Sequence, residues 1–120
     1  MAAEVGISIY FRDDAINVKR LSLMDIGTPK YIHLLLDKNK KLLYIQACEK
    51  DKNAFLIQKS DMDKRFMIIC KRFVRYLASV IGVKYDTSNS LKFQDCVQID
   101  AYTLKIDLRH YEEVQYDLQD

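Results

Sequence analysis

The hydrophobic positions of this chain fall into short runs that alternate with polar residues, and two stretches of helical spacing interrupt them. Alternation with a period of two is typical of half-buried β-strands. Short charged turns separate the runs, and such turns favour hairpins. We therefore predict strands within residues 7–11, 15–18, 31–36, 42–47, 54–58, 66–70, 91–93 with 96–99, and 102–108.

The clearest helical spacing covers Lys71–Ile81. Phe73, Leu77 and Ile81 follow one another at four-residue intervals and form one apolar face, while arginines fill the opposite face. Gly82 follows directly, and a glycine at that place is typical of a helix end. A shorter helix is predicted over 21–26 by the same reasoning.

The chain divides into two similar halves, at about residues 5–50 and 54–109. Each has the order strand, charged turn, strand, Lys-Arg, helix, Ile-Gly, hairpin. The matching segments are Lys19-Arg20 with Lys71-Arg72, Ile26-Gly27 with Ile81-Gly82, and 43–47 with 104–108. Their offsets grow from 52 to 55 to 61, as loop insertions would produce. A chance pattern is the alternative, since alternating runs are common in any β-rich chain.

A unit of about 50 residues buries a sheet face poorly by itself, whereas two packed units form a real core. Pairing strands from both halves would also remove exposed strand edges. We therefore expect residues 1–120 to form a single β-rich α+β domain, a small pseudo-two-fold β-barrel built from two ββαββ halves. The acidic C-terminal segment 110–120 is compatible with a short helix or with a last strand.

This order of elements resembles the swapped-hairpin DNA-binding domain of AbrB-type transition-state regulators and MazE-type antitoxins. The resemblance is clearest from Ile16 through Ala47, and weaker over 66–108. The family makes its barrel from two identical chains, so the resemblance implies both halves within one chain here. The chain departs from the family's pattern at Asp14-Ala15, where the family usually has Gly-Arg.

The composition narrows the class of protein. The net charge is +2, too near neutral to demand nucleic acid, although residues 110–120 contain four acids and no Lys or Arg. No apolar run approaches the roughly 18 residues of a membrane span, and the first residues lack the pattern of a signal peptide. We therefore expect a cytoplasmic protein without membrane contact.

Three cysteines, Cys48, Cys70 and Cys96, are widely spaced and form no C-x-x-C motif. The sequence thus predicts reduced structural thiols and no metal motif. A site assembled in space from these cysteines with His33 and His110 stays open.

Enzyme signatures are missing from the sequence. It has no nucleophile elbow and no H-E-x-x-H motif. Three widely spaced glycines are too few for a glycine-rich phosphate-binding loop. His33 lies in an apolar strand, and His110 lies near two glutamates that could orient a base. We predict a non-enzymatic binding protein without cofactor.

Basic residues recur at equivalent places of the two halves, in the charged turns and at the helix starts. Lys and Arg on one surface neutralise phosphates, and two equivalent clusters could serve successive half-sites on duplex DNA. Basic residues at such places contact DNA in the family that the chain resembles. The candidates are Arg12, Lys19, Arg20, Lys64, Arg65, Lys71, Arg72 and Arg75.

Two alternatives remain open beside a DNA-binding transcriptional regulator. The basic residues form an ordinary solvated surface if the aspartates of the same turns repel phosphates, and these are Asp13, Asp14, Asp61 and Asp63. In the second alternative, the chain is a protein-interaction module of antitoxin-like or inhibitor type, which binds its partner through residues 110–120. The sequence leaves monomer and homodimer equally open.

Overall fold

The structure is a computed structural model that describes residues 5–59 and 65–115. The described helices are α1 (Arg20–Asp25) and α2 (Lys71–Ile81). The described strands are β1 (Ile7–Tyr10), β2 (Ala15–Val18), β3 (Tyr31–Asp37), β4 (Leu42–Cys48), β5 (Phe55–Leu56), β6 (Gln58–Lys59), β7 (Phe66–Ile69), β8 (Asn89–Phe93), β9 (Cys96–Asp100), β10 (Thr103–Asp107) and β11 (Glu112–Gln115).

The strands form two antiparallel sheets, one of six strands in the order β11-β8-β1-β2-β7-β6 and one of five in the order β5-β3-β4-β10-β9. With two helices, this confirms the predicted β-rich α+β class. None of the described helices is long and apolar enough to cross a membrane.

The elements with the strongest local signals are confirmed. Helix α2 has the predicted bounds and ends at Gly82, whose φ of 89° lies in the left-handed region. The β3–β4 hairpin forms as predicted, and the carboxylate of Asp37 accepts hydrogen bonds from the backbone N–H groups of Asn39 and Lys40 in its turn.

Two runs that the alternation treats as continuous are divided between the sheets. The run over 54–58 becomes β5 in the five-stranded sheet and β6 in the six-stranded sheet, with Ile57 between them. The run over 91–99 divides in the same way into β8 and β9. Side chains of both sheets face one core, so the alternation of buried and exposed positions continues where the chain passes from one sheet to the other. The alternation therefore does not show where one strand ends and the next begins.

The described residues form no closed barrel, so this part of the predicted architecture is not found. Each sheet ends in edge strands, β11 and β6 in one and β5 and β9 in the other. Strand β8, which a ββαββ half does not contain, pairs with β1, and β11 then pairs with β8. These two strands extend the six-stranded sheet outward instead of joining it to the second sheet.

The strand orders are symmetric about two central pairs. In the six-stranded sheet β1-β2 adjoins β7-β6, and in the five-stranded sheet β3-β4 adjoins β10-β9. The matched segments of the two halves pair with each other in the β4–β10 ladder, where Leu43 lies opposite Ile106 and Ile45 opposite Leu104. A two-fold relation between the halves would produce this pairing, in which the matched strand of each half lies beside that of the other.

One hydrophobic cluster contains residues of both sheets and both halves. From α2 it includes Leu77 and Ile81 of the predicted apolar face together with Val74 and Ala78, while Phe73 packs against the cluster half-buried. The fully buried strand residues of the cluster are Ile7, Ile9, Ile16, Ile32, Leu43, Ile45, Ile68, Leu91, Phe93 and Ile106. The two halves therefore share a core.

The carboxylate of Asp107, at the end of β10, should make the stability sensitive to acid. It accepts hydrogen bonds from the side chain of Arg109, 2.7 Å to Nη2, and from the backbone N–H of Arg109, and these hold its pKa well below the usual range. The contribution is present above about pH 4, the unfolded pKa, and is lost as the pH falls below it. We expect the melting temperatures of the wild type and of Asp107→Asn to approach each other as the pH is lowered from about 6 to about 2. A difference in melting temperature that stays constant over this range would contradict the prediction.

Candidate nucleic-acid interface

Strand register places the charged turn of the first half beside the helix start of the second half. Ala15 lies opposite Ile69, and the backbone N–H of Cys70 donates to the carbonyl of Asp14 at 2.9 Å. The β1–β2 turn therefore adjoins the first turn of α2. We call the cations brought together there the α2-end cluster, and they are Arg12, Lys71, Arg72 and Arg75.

The mirror arrangement occupies the other end of the same strand pair. Val18 lies opposite Phe66, so Arg65 is brought toward Lys19 and the start of α1. Lys59, which the sequence analysis did not select, lies opposite Phe66 on the neighbouring strand. We call the cations of this end the α1-end cluster, and they are Lys19, Arg20, Lys59 and Arg65. Lys64 lies outside the described residues.

This grouping differs from the expected one. The sequence predicts that equivalent turns and equivalent helix starts share one surface, whereas the structure combines the turn of one half with the helix start of the other. The physical reason is the antiparallel pairing of β2 with β7, which sends the two helices off from opposite ends. Lys59 could have been selected from the sequence, because it flanks the same charged turn as Arg65.

The cations differ in how free they are to meet a ligand. Arg20, Lys59, Lys71 and Arg72 are exposed, whereas Lys19 and Arg65 are half-buried. The guanidinium of Arg65 lies 5.3 Å from the centre of the Tyr10 ring, so its charge extends along the sheet from the α1 end toward the β1–β2 turn. The guanidinium of Arg75 lies 4.8 Å from the centre of the Tyr85 ring. The arginines held against these rings are the ones with less freedom to move.

The carboxylates of the β1–β2 turn are both engaged. Arg12 Nε lies 3.6 Å from Asp13 Oδ1, and the hydroxyl of Tyr85 donates to Asp14 Oδ1 at 2.6 Å. This hydrogen bond to a carboxylate raises the pKa of the Tyr85 hydroxyl. The α2-end cluster contains four cations and the adjoining turn two carboxylates, so the local formal charge is positive.

A groove of about 540 Å³ borders the α1-end cluster. Its walls combine cations with apolar side chains, and they are Arg20, Leu23, Met24, Thr28, Lys59 and Phe66. Met24 is half exposed there, at 52%. The groove combines positive charge with apolar surface, which suits a ligand with anionic and apolar parts.

The acidic C-terminal segment forms a strand where the structure describes it. Residues 112–115 make up β11, the edge strand beside β8, and all four are exposed. Glu112 lies opposite Lys92 in this pairing. The helix alternative is therefore wrong for this stretch, and residues 116–120 lie outside the described residues.

The thiols and histidines have separate surroundings. All three cysteines are free thiols, and burial raises the pKa of the Cys70 thiol to about 12. Among the five residues considered for an assembled site, Cys48 and His33 come together, and Asp51 joins them. His33 Nε2 lies 2.8 Å from Asp51 Oδ2.

Comparison with known proteins finds no match to a family model, to a curated protein or to a solved structure. The resemblance to AbrB-type and MazE-type domains therefore stays a prediction from the sequence. A function for this chain has to be argued from its own geometry and charge.

Proposed function

We propose that this protein is a non-enzymatic, DNA-binding regulator of AbrB-like type that holds the phosphates of duplex DNA with its α1-end and α2-end clusters. The observation that carries the proposal is the β2–β7 register, which assembles cations from distant parts of the chain at each end of one strand pair. Lys and Arg clusters of this kind bind phosphates and release counterions from the duplex.

The distance between the clusters supports a contact across one groove. Asp14 and Lys19 flank the four residues of β2, and the five residue steps between them correspond to about 17 Å at about 3.3 Å per residue. The major groove is about 12 Å wide, whereas half-sites lie about 34 Å apart. One molecule would thus hold the phosphates that flank a single groove, and two half-sites would need two molecules.

The proposal includes an internal duplication of two related halves. The symmetric strand orders and the exchange of matched segments in the β4–β10 ladder favour it over a chance pattern. The duplication explains why each end of the β2–β7 pair receives one charged turn and one helix start. It applies to the two packed sheets, with β8 and β11 as additions to the second half.

A protein-interaction module is the second candidate, and the exposed acidic edge strand β11 favours it. An edge strand offers unpaired backbone groups to an added strand, and Glu112 and Glu113 suit a basic partner. We expect a chain that ends at Tyr111 to lose such a partner while it keeps its fold, as a pull-down and a thermal melt would record.

Fluorescence anisotropy with a labelled duplex tests the DNA proposal. With about four phosphate contacts, raising the salt from about 50 to about 200 mM should weaken binding on the order of 100-fold. The double variant Arg20→Glu/Arg72→Glu, with one exposed residue from each cluster, should lower the salt slope by about two and weaken binding further.

The matched control is Lys38→Glu/Lys40→Glu, which changes the net charge equally at the exposed tip of the β3–β4 hairpin. It should bind nearly as the wild type does. Absence of binding at low salt would refute the DNA proposal and leave the interaction module as the better candidate. Loss of binding in the control variant alone would move the interface to the hairpin tip and refute the two-cluster site.

A further inference from the structure

We propose that His33, Cys48 and Asp51 form a binding site for one divalent transition-metal ion, with Zn²⁺ as the best-fitting metal. Their ligand atoms all lie within 4.8 Å of one another. The site is separate from both basic clusters, because it lies on the five-stranded sheet at the end of the β3–β4 hairpin.

The β3–β4 register sets two of the three ligands on one face of the sheet. Tyr31 lies opposite Cys48 and His33 lies opposite Gln46, so His33 and Cys48 are diagonal neighbours. Side chains two residues apart on a strand share a face, and diagonal neighbours are within reach of each other. The hairpin pairing thus brings together two ligands that are 15 residues apart in sequence.

The third ligand comes from the turn that follows β4. Asp51 Oδ1 accepts a hydrogen bond from the backbone N–H of Asn53 at 2.8 Å, and Oδ2 is hydrogen-bonded to His33 Nε2 at 2.8 Å. Its carboxylate is therefore oriented before any ion arrives. A metal ion would replace the proton that His33 and Asp51 share, as metal binding releases protons from its ligands. The spacing Cys48-x-x-Asp51 equals that of the C-x-x-C pairs that give zinc two ligands from one turn.

The donor set matches the preference of zinc. It combines an imidazole nitrogen, a thiolate sulfur and a carboxylate oxygen, each a common zinc ligand with bonds of about 2.0 to 2.3 Å. Tetrahedral ligands at such bond lengths stand about 3.5 Å apart, so side-chain shifts of about 1 Å complete the site. Three protein ligands leave the fourth position to water.

The ion can reach the site from solvent. The side chains of His33 and Asp51 are 29% and 46% exposed, and Cys48 is half-buried. Bound metal would tie the β4–β5 loop to β3, which lies between those two strands in the sheet. We therefore expect metal to raise the melting temperature.

A second group of metal-type side chains provides a built-in comparison. Asp95, Asp107 and His110 also lie together, but they include no thiol. The guanidinium of Arg109 already occupies the Asp107 carboxylate, with Nη2 at 2.7 Å from Oδ2, and a metal ion would have to displace it. The partner of Asp51 is His33, which can give up its proton and bind the metal itself, whereas an arginine stays charged. The chemistry thus favours the Cys48 site over this one.

A titration of the metal-free, reduced full chain with Co²⁺, followed by competition with Zn²⁺, tests the proposal. We expect one equivalent to bind with a thiolate-to-cobalt charge-transfer band, and Zn²⁺ to displace it. Cys48→Ser should abolish the band, and Asp51→Asn on the exposed turn should weaken binding at least about 100-fold. Cys96→Ser and His110→Gln should bind as the wild type does.

The outcomes are distinct from those of the DNA titration. Absence of one-to-one binding by the wild type, or a band that persists in Cys48→Ser, would overturn the proposal. Binding that is lost in His110→Gln and kept in Asp51→Asn would place the ion at the other cluster and overturn it too. If Cys48→Ser fails to fold in a circular-dichroism melt, the folded Asp51→Asn variant decides.

Discussion

Replacing Gly6 with alanine should destabilise the fold by about 3 kcal/mol or more. Gly6 has a φ of +99°, and a Cβ added there would stand 2.0 Å from the backbone carbonyl oxygen of Phe93. A side chain in the left-handed region costs about 1–2 kcal/mol, and forced overpacking adds about 1–3 kcal/mol. The expected value combines both effects.

The backbone around Gly6 has little freedom to relieve this clash. Its N–H donates to Ser22 Oγ at 2.7 Å, and its carbonyl accepts from the backbone N–H of Lys19 at 2.9 Å. These two hydrogen bonds hold Gly6, which directly precedes β1, against Lys19 and Ser22 at the start of α1. A shift that admits a methyl group would break at least one of them and leave a buried polar group unpaired.

The matched control for this prediction is Gly82→Ala. Gly82 has a similar φ of +89°, but nothing lies within 4 Å of an added Cβ. It should lose only the conformational part, about 1 kcal/mol. Urea unfolding of both variants measures the difference, and equal losses would show that the contact with Phe93 is unimportant.

Leu77→Ala should destabilise the protein by about 3 kcal/mol. Leu77 is fully buried in the shared core, and truncation leaves a cavity that the surrounding sheets fill only partly. The loss combines the missing hydrophobic transfer energy with the cavity. Equilibrium unfolding in urea at neutral pH measures it.

The neighbouring Tyr76 serves as the control, because it is 47% exposed on the opposite face of α2. Tyr76→Ala should change stability by about 0.5 kcal/mol or less. Similar losses in the two variants would contradict the orientation of α2. That orientation matters for the proposed interface, since the same helix carries Lys71 and Arg72 outward.

Local chemistry was enough to predict the elements that form without help from distant residues. The Asp37 turn fixes the β3–β4 hairpin, and four-residue spacing with a terminal glycine fixes α2. The run over 54–58 was not predictable in the same way. Its division at Ile57 depends on which sheet offers a partner on each side.

The two candidate sites were predictable to different degrees. The basic residues were found from their recurrence in the two halves, but their grouping into two end clusters was not. The sequence left open a site assembled from Cys48 and His33, but it did not find the third ligand, Asp51, because a search for paired cysteines does not detect a carboxylate. A Cys-x-x-Asp spacing after a strand was the available signal.

The sequence by itself determined the β-rich class, helix α2 and the hairpin turns, because periodicity and turn chemistry act over a few residues. Only the tertiary structure decided the strand orders, the two open sheets, the partners of each cation and the approach of Asp51 to His33. These depend on pairing between residues far apart in the chain, which burial of one shared core selects and which no local pattern encodes.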